Sequence, residues 1–255
     1  MKTFAWFFLF CFILLLIICS TGGLQLTVTP TLVSAETTTN IATTNLPPEI
    51  SYIISDTTLK TWEDYSGNNW IQVIVEITNN GTEPIFLSDG SYDLENSEGK
   101  IIAHKSSISE CPQVLEAGEK GFMYDYTTLD NPVSGEISII PHISAKLATV
   151  NCVRYPVTEV SFLTSSYYGL KAVGRIENTT ELDDTSSSIY IRLVLFDSNG
   201  HPIEVLTSYI SDELLAGSRI GFEAQNSDNL ISSKTITASE VDSWVAYSYP
   251  YQYQF

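Results

Sequence analysis

The chain has 255 residues and a formal net charge of −18 at pH 7, with 30 Asp and Glu residues against 12 Lys and Arg residues. Because Lys and Arg bind phosphate backbones and anionic lipid surfaces, this excess of carboxylates argues against nucleic acid and anionic membranes as partners. The acidic charge favours solubility through self-repulsion, or it attracts cations and basic partners.

Residues 1–35 are predicted to be a secretory signal peptide. Lys2 precedes an almost unbroken apolar run from Phe4 to Cys19, and the next charged residue is Glu36. A basic start, an apolar core and small residues before a cleavage point are typical of such signals, and Val33-Ser34-Ala35 fits that point. The chain is therefore expected to be secreted or held on the extracellular face of the cell envelope. The alternative is an uncleaved anchor, in which case this segment makes the only membrane contact.

Residues 36–48 are rich in Thr and Asn and end in Pro47-Pro48, which predicts an exposed spacer. Two domains are expected to follow it, at 49–153 and 154–249, and a Tyr-rich tail at 250–255 ends the chain.

The division into two domains rests on an internal repeat with a period of about one hundred residues, too long for a solenoid. Its anchors are short segments that recur at nearly constant spacing. Ile77-Thr78-Asn79-Asn80 returns as Ile176-Glu177-Asn178-Thr179, and Ala117-Gly118 with Gly121-Phe122 returns as Ala216-Gly217 with Gly221-Phe222. Phe122 and Phe222 are thus expected to be equivalent. The repeat predicts two copies of one domain.

Each copy contains a strand in which every second residue is apolar. In 70–78, Ile71, Val73, Val75 and Ile77 share one face, while Gln72, Glu76 and Thr78 share the other. This pattern predicts a strand with one face on a core and the other in water. Later in the chain, 189–196 alternates in the same way, with Ile189, Ile191, Leu193 and Leu195 on one face.

Turn sequences follow the alternating segments. Asn79-Asn80-Gly81, Asn96-Ser97-Glu98-Gly99 and Asp197-Ser198-Asn199-Gly200 are suited to tight reversals. Helical periodicity is absent, apart from a helical turn expected within 238–244. Many short strands joined by polar turns predict an all-β fold of two tandem antiparallel β-sandwich domains.

The cysteines leave a disulfide open. Cys11 and Cys19 lie in the predicted signal, whereas Cys111 and Cys152 lie in the first domain and can form a bridge in an exported protein. The alternative is two buried thiols that act as small apolar residues. The second domain has no cysteine, so the fold does not depend on the bridge.

The second copy resembles the FxLYD domains and related immunoglobulin-like modules of secreted bacterial proteins. The resemblance rests on Gly174-Arg175-Ile176-Glu177-Asn178, Leu193-Val194-Leu195-Phe196-Asp197, Leu215-Ala216-Gly217 and Phe222. The first copy matches less well, since Val75 replaces the early Gly, Glu95 the aromatic residue and Asn96 the Asp. The resemblance implies that both domains are antiparallel immunoglobulin-like β-sandwiches, exported to the envelope and without shared catalytic residues.

No motif predicts catalysis or a resident cofactor. His104, His142 and His201 lack zinc-ligand spacing, and neither a Gly-x-Ser-x-Gly elbow nor a phosphate-binding loop occurs. Two oxygen-rich segments at 89–95 and 181–184 could attract calcium, but neither matches a calcium-loop pattern, and both are expected to be solvated loops.

The sequence therefore predicts a non-enzymatic binding or structural module that is secreted or held on the cell envelope, with a protein or glycan partner. The alternative is an exported inhibitor or accessory subunit of another enzyme, acting through loops at 106–110 and 208–213. An enzyme such as a glycan hydrolase would require two carboxylates in a cleft, one of them with a displaced pKa.

Overall fold

The computed structural model describes residues 50–130, 135–150, 153–165, 169–186, 188–226 and 236–250. Regular structure in these ranges is antiparallel β, with one 3₁₀ turn at Ala238–Glu240 inside the segment expected to be helical. No helix in these ranges is long and apolar enough to cross a bilayer. The prediction of an all-β fold is confirmed. The predicted signal peptide, spacer and residues 251–255 of the tail lie outside the described residues.

Eight strands form what we call the N-lobe, residues 50–150. The strands are β1 Tyr52–Glu63, β2 Asn69–Asn79, β3 Ile85–Asn96, β4 Ile101–Ser106, β5 Ser109–Cys111, β6 Val114–Leu115, β7 Lys120–Leu129 and β8 Ile137–Leu147. One sheet has the order β1-β2-β7-β5, and in the other β3 pairs with β4, β6 and β8. Both sheets contribute to one apolar core, for example Ile71 and Val73 from β2 and Tyr92 and Leu94 from β3.

Six strands form the C-lobe, residues 153–250. The strands are β9 Val157–Ser165, β10 Gly169–Glu177, β11 Ile189–Phe196, β12 Pro202–Ile210, β13 Arg219–Gln225 and β14 Ser243–Pro250. They make one sheet in the order β14-β11-β12-β13-β10-β9, in which β12 and β13 are joined by the pair Thr207 and Gln225. The core takes Ile189, Ile191, Leu193 and Leu195 from β11, the set that the alternation predicts.

A buried asparagine shows that the two lobes repeat one design. Asn79 Nδ2 donates to the carbonyl oxygens of Leu115 (3.0 Å) and Glu83 (2.9 Å), and its Oδ1 accepts from Gly81 N. Asn178 Nδ2 donates to Leu214 O (2.9 Å) and Leu182 O (2.8 Å), and its Oδ1 accepts from Thr180 N. Both side chains are fully buried. The sequence pattern treats these asparagines as turn residues, whereas they tie a strand end to the interior.

The expected equivalence of Phe122 and Phe222 is wrong by one residue. Phe222 lies opposite Gly174, and Met123 lies opposite Val75. Val75 and Gly174 precede Asn79 and Asn178 by the same number of residues, so Phe222 is the counterpart of Met123. Because a strand alternates its faces, this shift places Phe222 in the C-lobe core and Phe122 on the opposite face of its sheet.

Steric crowding explains why the second copy has glycine at position 174. A Cβ atom at Gly174 would lie 2.7 Å from Phe222 Cζ, which is far inside van der Waals contact. The N-lobe has Val75 at this position, opposite the flexible side chain of Met123. Each lobe therefore pairs one small residue with one large residue, in different combinations.

Candidate functional site

The expectation that the second face of β2 lies in water is also wrong. Gln72 and Ile74 have no exposed surface, and Glu76 is 5% exposed. The C-lobe covers this face together with the adjacent face of β7. The two lobes share a cluster of apolar and aromatic residues from both sides of the contact: Ile74, Cys111, Phe122, Tyr124, Val194, Val205, Tyr247 and Tyr249.

A polar network crosses the same contact. Gln72 Nε2 donates to Glu204 Oε1 (3.1 Å) and to Tyr126 Oη (2.8 Å), and the Tyr126 hydroxyl donates to Glu204. Asn226 Nδ2 also donates to Glu204 Oε1 (3.1 Å). Burial raises the pKa of Tyr126 well above its usual value, so this phenol stays a donor. Buried and mutually satisfied polar groups fix one orientation of the lobes.

Further bonds lie around the cluster. Tyr247 Oη donates to Lys120 O (2.7 Å), and His201 Nδ1 lies 2.9 Å from Asp56 Oδ2 across the boundary. The hydrogen bond with Asp56 raises the pKa of His201. The C-lobe thus docks on the N-lobe through the outer face of β11, β12 and β14.

The N-lobe has an equivalent of that docking face, formed by the outward side chains of β3, β4 and β8, which we call the free N-face. Asp93 pairs across strands with His104, as Val194 pairs with Val205 in the C-lobe. In both lobes one further cross-strand pair follows, and then a β-bulge, before the hairpin turn. Asp93 and His104 therefore occupy the positions at which Val194 and Val205 dock the C-lobe.

Two histidines converge on Asp93 at the centre of the free N-face. His104 Nδ1 lies 2.7 Å from Asp93 Oδ1, and His142 Nε2 lies 2.8 Å from Asp93 Oδ2. Asp93 is 15% exposed under the two imidazoles, which are 59% and 50% exposed. Hydrogen bonds from His142 and His104 lower the pKa of Asp93, so the carboxylate stays ionised.

Exposed isoleucines flank this cluster. Ile140 of β8 lies opposite Asp93, and Ile102 lies two positions before His104 on β4. The two side chains are 36% and 40% exposed. Over 138–144 the exposed residues of β8 are Ser138, Ile140, His142 and Ser144, which carry no formal charge on a strongly acidic protein. Low charge and exposed aliphatic side chains are typical of the centre of a protein interface.

The C-lobe in turn has an uncovered counterpart of the β2 and β7 face, formed by β10 and β13, which we call the free C-face. Its strand register places Lys171, Val173 and Arg175 where the N-lobe has Gln72, Ile74 and Glu76. Gly221 and Glu223 replace Phe122 and Tyr124. Aromatic residues thus line the covered face, and charged or small residues line the uncovered one.

One of the two cysteines predicted to form a disulfide, Cys111, lies in the contact between the lobes. Cys111 is fully buried in the shared cluster, and burial raises the pKa of its thiol. Cys152 lies outside the described residues, so the bridge between them stays a prediction. Such a buried, protonated thiol is a poor nucleophile, since the thiolate is the reactive form.

The oxygen-rich segments do not form a metal site in the structure. Within the described residues, no group of three or more His, Cys, Asp and Glu side chains is arranged to hold a metal ion. Asp93 is bound to the two histidines, while Asp183 accepts a hydrogen bond from Ala216 N (2.8 Å) and Asp184 from the Tyr155 hydroxyl.

Each of the two segments predicted as inhibitory loops contains one residue that is buried against the body of the protein. Ile108 is buried in the N-lobe core, and β5 pairs with β7 directly after it. In the second segment, 208–210 belongs to β12 and Ile210 is buried, whereas Tyr209 and 211–213 are exposed. An inhibitory role of either segment therefore stays a prediction.

The sequence pattern does not indicate that the histidines meet. The spacing of His104 and His142 fits no metal motif, so it predicts no shared site. Their meeting depends on β4 and β8 flanking β3, which is a property of the sheet order.

Comparisons with protein-family models and with curated proteins give no match to this chain.

Proposed function

We propose that the chain is a secreted or cell-envelope module without catalytic activity, and that it binds a partner protein through the free N-face. The observation that carries this proposal is the equivalence of this face to the docking face of the C-lobe. The same fold, in the same chain, already uses these strand positions to bind a sheet. The exposed Ile102 and Ile140 supply apolar contact area next to the histidine cluster.

A carboxylate in one acidic cleft is held in its ionised form. A cleft of about 410 Å³ lies beside Lys60 and holds the carboxylates of Asp197, Glu240 and Asp242. Asp197 accepts backbone N–H groups from His201 (3.0 Å) and Asn199 (2.9 Å), which lower its pKa. A general acid for glycan hydrolysis needs a raised pKa, so this carboxylate is unsuited to that role.

The proposal includes the type of fold and the role of the N-terminal segments. We interpret the lobes as two immunoglobulin-like β-sandwich domains, bounded at 153/154, that resemble FxLYD modules of exported bacterial proteins. Residues 1–35 would direct export and 36–48 would space the lobes from the membrane. N-terminal sequencing of the protein recovered from culture medium tests the export step. A chain that starts at Glu36 supports cleavage, whereas retention inside the cell contradicts export.

Site-specific photo-crosslinking tests the binding face. A photoreactive residue replaces Ile140 on the free N-face or, as a control of similar type, Leu215 in an exposed C-lobe turn. Irradiation with envelope and medium fractions of the producing cells should give an adduct from position 140 and none from position 215. Unlabelled protein should compete for the adduct, and its Ile102→Asp/Ile140→Asp variant should not. The absence of a competed adduct at position 140 contradicts the proposal.

A further inference from the structure

We infer that the partner of the free N-face is a second copy of this chain, bound through its free C-face. The inference rests on the proposed function because it uses the same binding surface. It adds a head-to-tail contact that repeats, between chains, the contact already made between the lobes of one chain.

The internal contact defines how the two faces meet. Phe196 of the C-lobe packs on Phe122 of the N-lobe, with ring centroids 5.8 Å apart. Tyr247 packs on the same Phe122 ring and donates its hydroxyl proton to Lys120 O. Around them, Val194 and Ile74 belong to the same apolar cluster.

Strand equivalence transfers these contacts to the free faces. Phe196 follows the C-lobe bulge as Glu95 follows the N-lobe bulge, so Glu95 takes its place. Phe122 corresponds to Gly221, which lies directly opposite Arg175 on the neighbouring strand. A repeat of the internal contact therefore brings Glu95 of one copy to Arg175 of the next. Asp93, the counterpart of Val194, meets Val173, the residue that stands between Lys171 and Arg175 on β10.

The charges of the two faces are complementary at these positions. The free N-face contributes the carboxylate of Glu95, next to the histidine-bound Asp93. The free C-face contributes the guanidinium of Arg175, next to Lys171, which pairs with Glu223 on the same face (2.6 Å). Arg175 now pairs with Glu159 (3.0 Å), but these side chains are 54% and 56% exposed. An ion pair this exposed contributes little, so exchanging Glu159 for Glu95 costs little.

The contact must be weaker than the internal one. Gly221 and Glu223 stand where Phe122 and Tyr124 supply apolar area in the covered face, so less hydrophobic surface is buried. Association is then reversible, dependent on concentration and sensitive to salt. Because the two faces differ, the contact is heterologous and does not close on itself, so it builds an open chain of molecules.

Charge reversal in the full-length mature protein tests the inference. Sedimentation velocity or light scattering over a concentration series should show a rising average mass for the wild type. Arg175→Glu should weaken the association about tenfold, and Glu95→Arg should do the same. The double variant Glu95→Arg/Arg175→Glu should restore it, because the pair is re-formed with reversed signs. Glu213→Arg, an exposed charge reversal away from both faces, is the matched control and should leave the association unchanged.

Several outcomes overturn the inference. The inference fails if the wild type stays monomeric at every concentration. It also fails if Arg175→Glu leaves the association unchanged, or if the association stops at a closed dimer. Because the substituted side chains lie at the surface, every variant should fold. Thermal unfolding of each variant checks this.

The photo-crosslink at position 140 separates this inference from the proposed function. An adduct of twice the chain mass supports both. An adduct with a different macromolecule supports the binding module and overturns self-association. The absence of any adduct contradicts both.

Discussion

Gln72 of β2 and Glu204 of β12 meet between the lobes, where Gln72 Nε2 donates a hydrogen bond of 3.1 Å to Glu204 Oε1. Both side chains are buried. Tyr126 and Asn226 donate to the same carboxylate, so three side chains depend on this one acceptor. Glu204 therefore contributes to the fixed orientation of the lobes, although its sequence context suggests only an ordinary strand residue.

Replacing this carboxylate tests the contribution of the network. We expect Glu204→Ala to lower the free energy of unfolding by about 2 kcal/mol, because buried donors lose their acceptor. Urea denaturation measures the change. Glu213→Ala, which removes an exposed carboxylate from the C-lobe, is the control and should change stability by less than about 0.5 kcal/mol. Equal effects of the two substitutions would show that the network does not stabilise the contact.

The small and large residues that face each other in the two cores should be coupled. We expect Gly174→Val to cost about 2 kcal/mol, because the new side chain overlaps the Phe222 ring. The N-lobe combination, Gly174→Val with Phe222→Met, should cost less than the sum of the single variants by about 1 kcal/mol. A double-mutant cycle from thermal or urea unfolding gives this coupling. Additive effects would contradict it. At Gly221, where a Cβ atom meets nothing closer than 3.8 Å, valine should be tolerated.

The buried asparagines should be equally important in both lobes. We expect Asn79→Ala and Asn178→Ala each to cost about 2 kcal/mol, because buried carbonyl groups lose their donor. Asn178→Asp should cost more, since it presents an acceptor to the carbonyl oxygens of Leu214 and Leu182. The exposed neighbours Asn80 and Thr179 provide controls, and their alanine variants should be nearly neutral. Unfolding curves that show a cost in only one lobe would refute the structural equivalence.

Asp64 in the β1–β2 hairpin should make stability depend on pH. Its carboxylate accepts hydrogen bonds from the Trp70 indole N–H (2.9 Å) and from Asn68, which lower its pKa from 3.8 to about 2. Because the pKa is lower in the folded state, the ionised Asp64 stabilises the fold at pH values above the unfolded-state pKa of 3.8. This contribution is lost as the pH falls through the folded-state pKa of about 2. The melting temperature of Asp64→Asn should therefore lie below that of the wild type at neutral pH. The gap should narrow between about pH 4 and about pH 2. A gap that stays constant with pH would exclude this linkage.

Much of the fold follows from local pattern. Alternation in 70–78 and 189–196 identified the side chains that enter the two cores, because strand geometry alone separates the faces. The polar turns at 96–99 and 197–200 end their strands as expected, and the recurring Asn79 and Asn178 mark equivalent positions. Composition and turn chemistry are local properties, so the sequence by itself determined an all-β chain with two related halves.

The tertiary structure decided which faces are covered. Alternation assigned Gln72 and Glu76 to a polar face, but it could not show that the C-lobe buries this face. The one-residue error at Phe122 and Phe222 has the same origin, because similar letters in adjacent positions point to opposite sides of a sheet. Strand order also brought His104 and His142 to Asp93. Contacts between residues distant in the chain depend on the packing of whole sheets, which no short segment encodes.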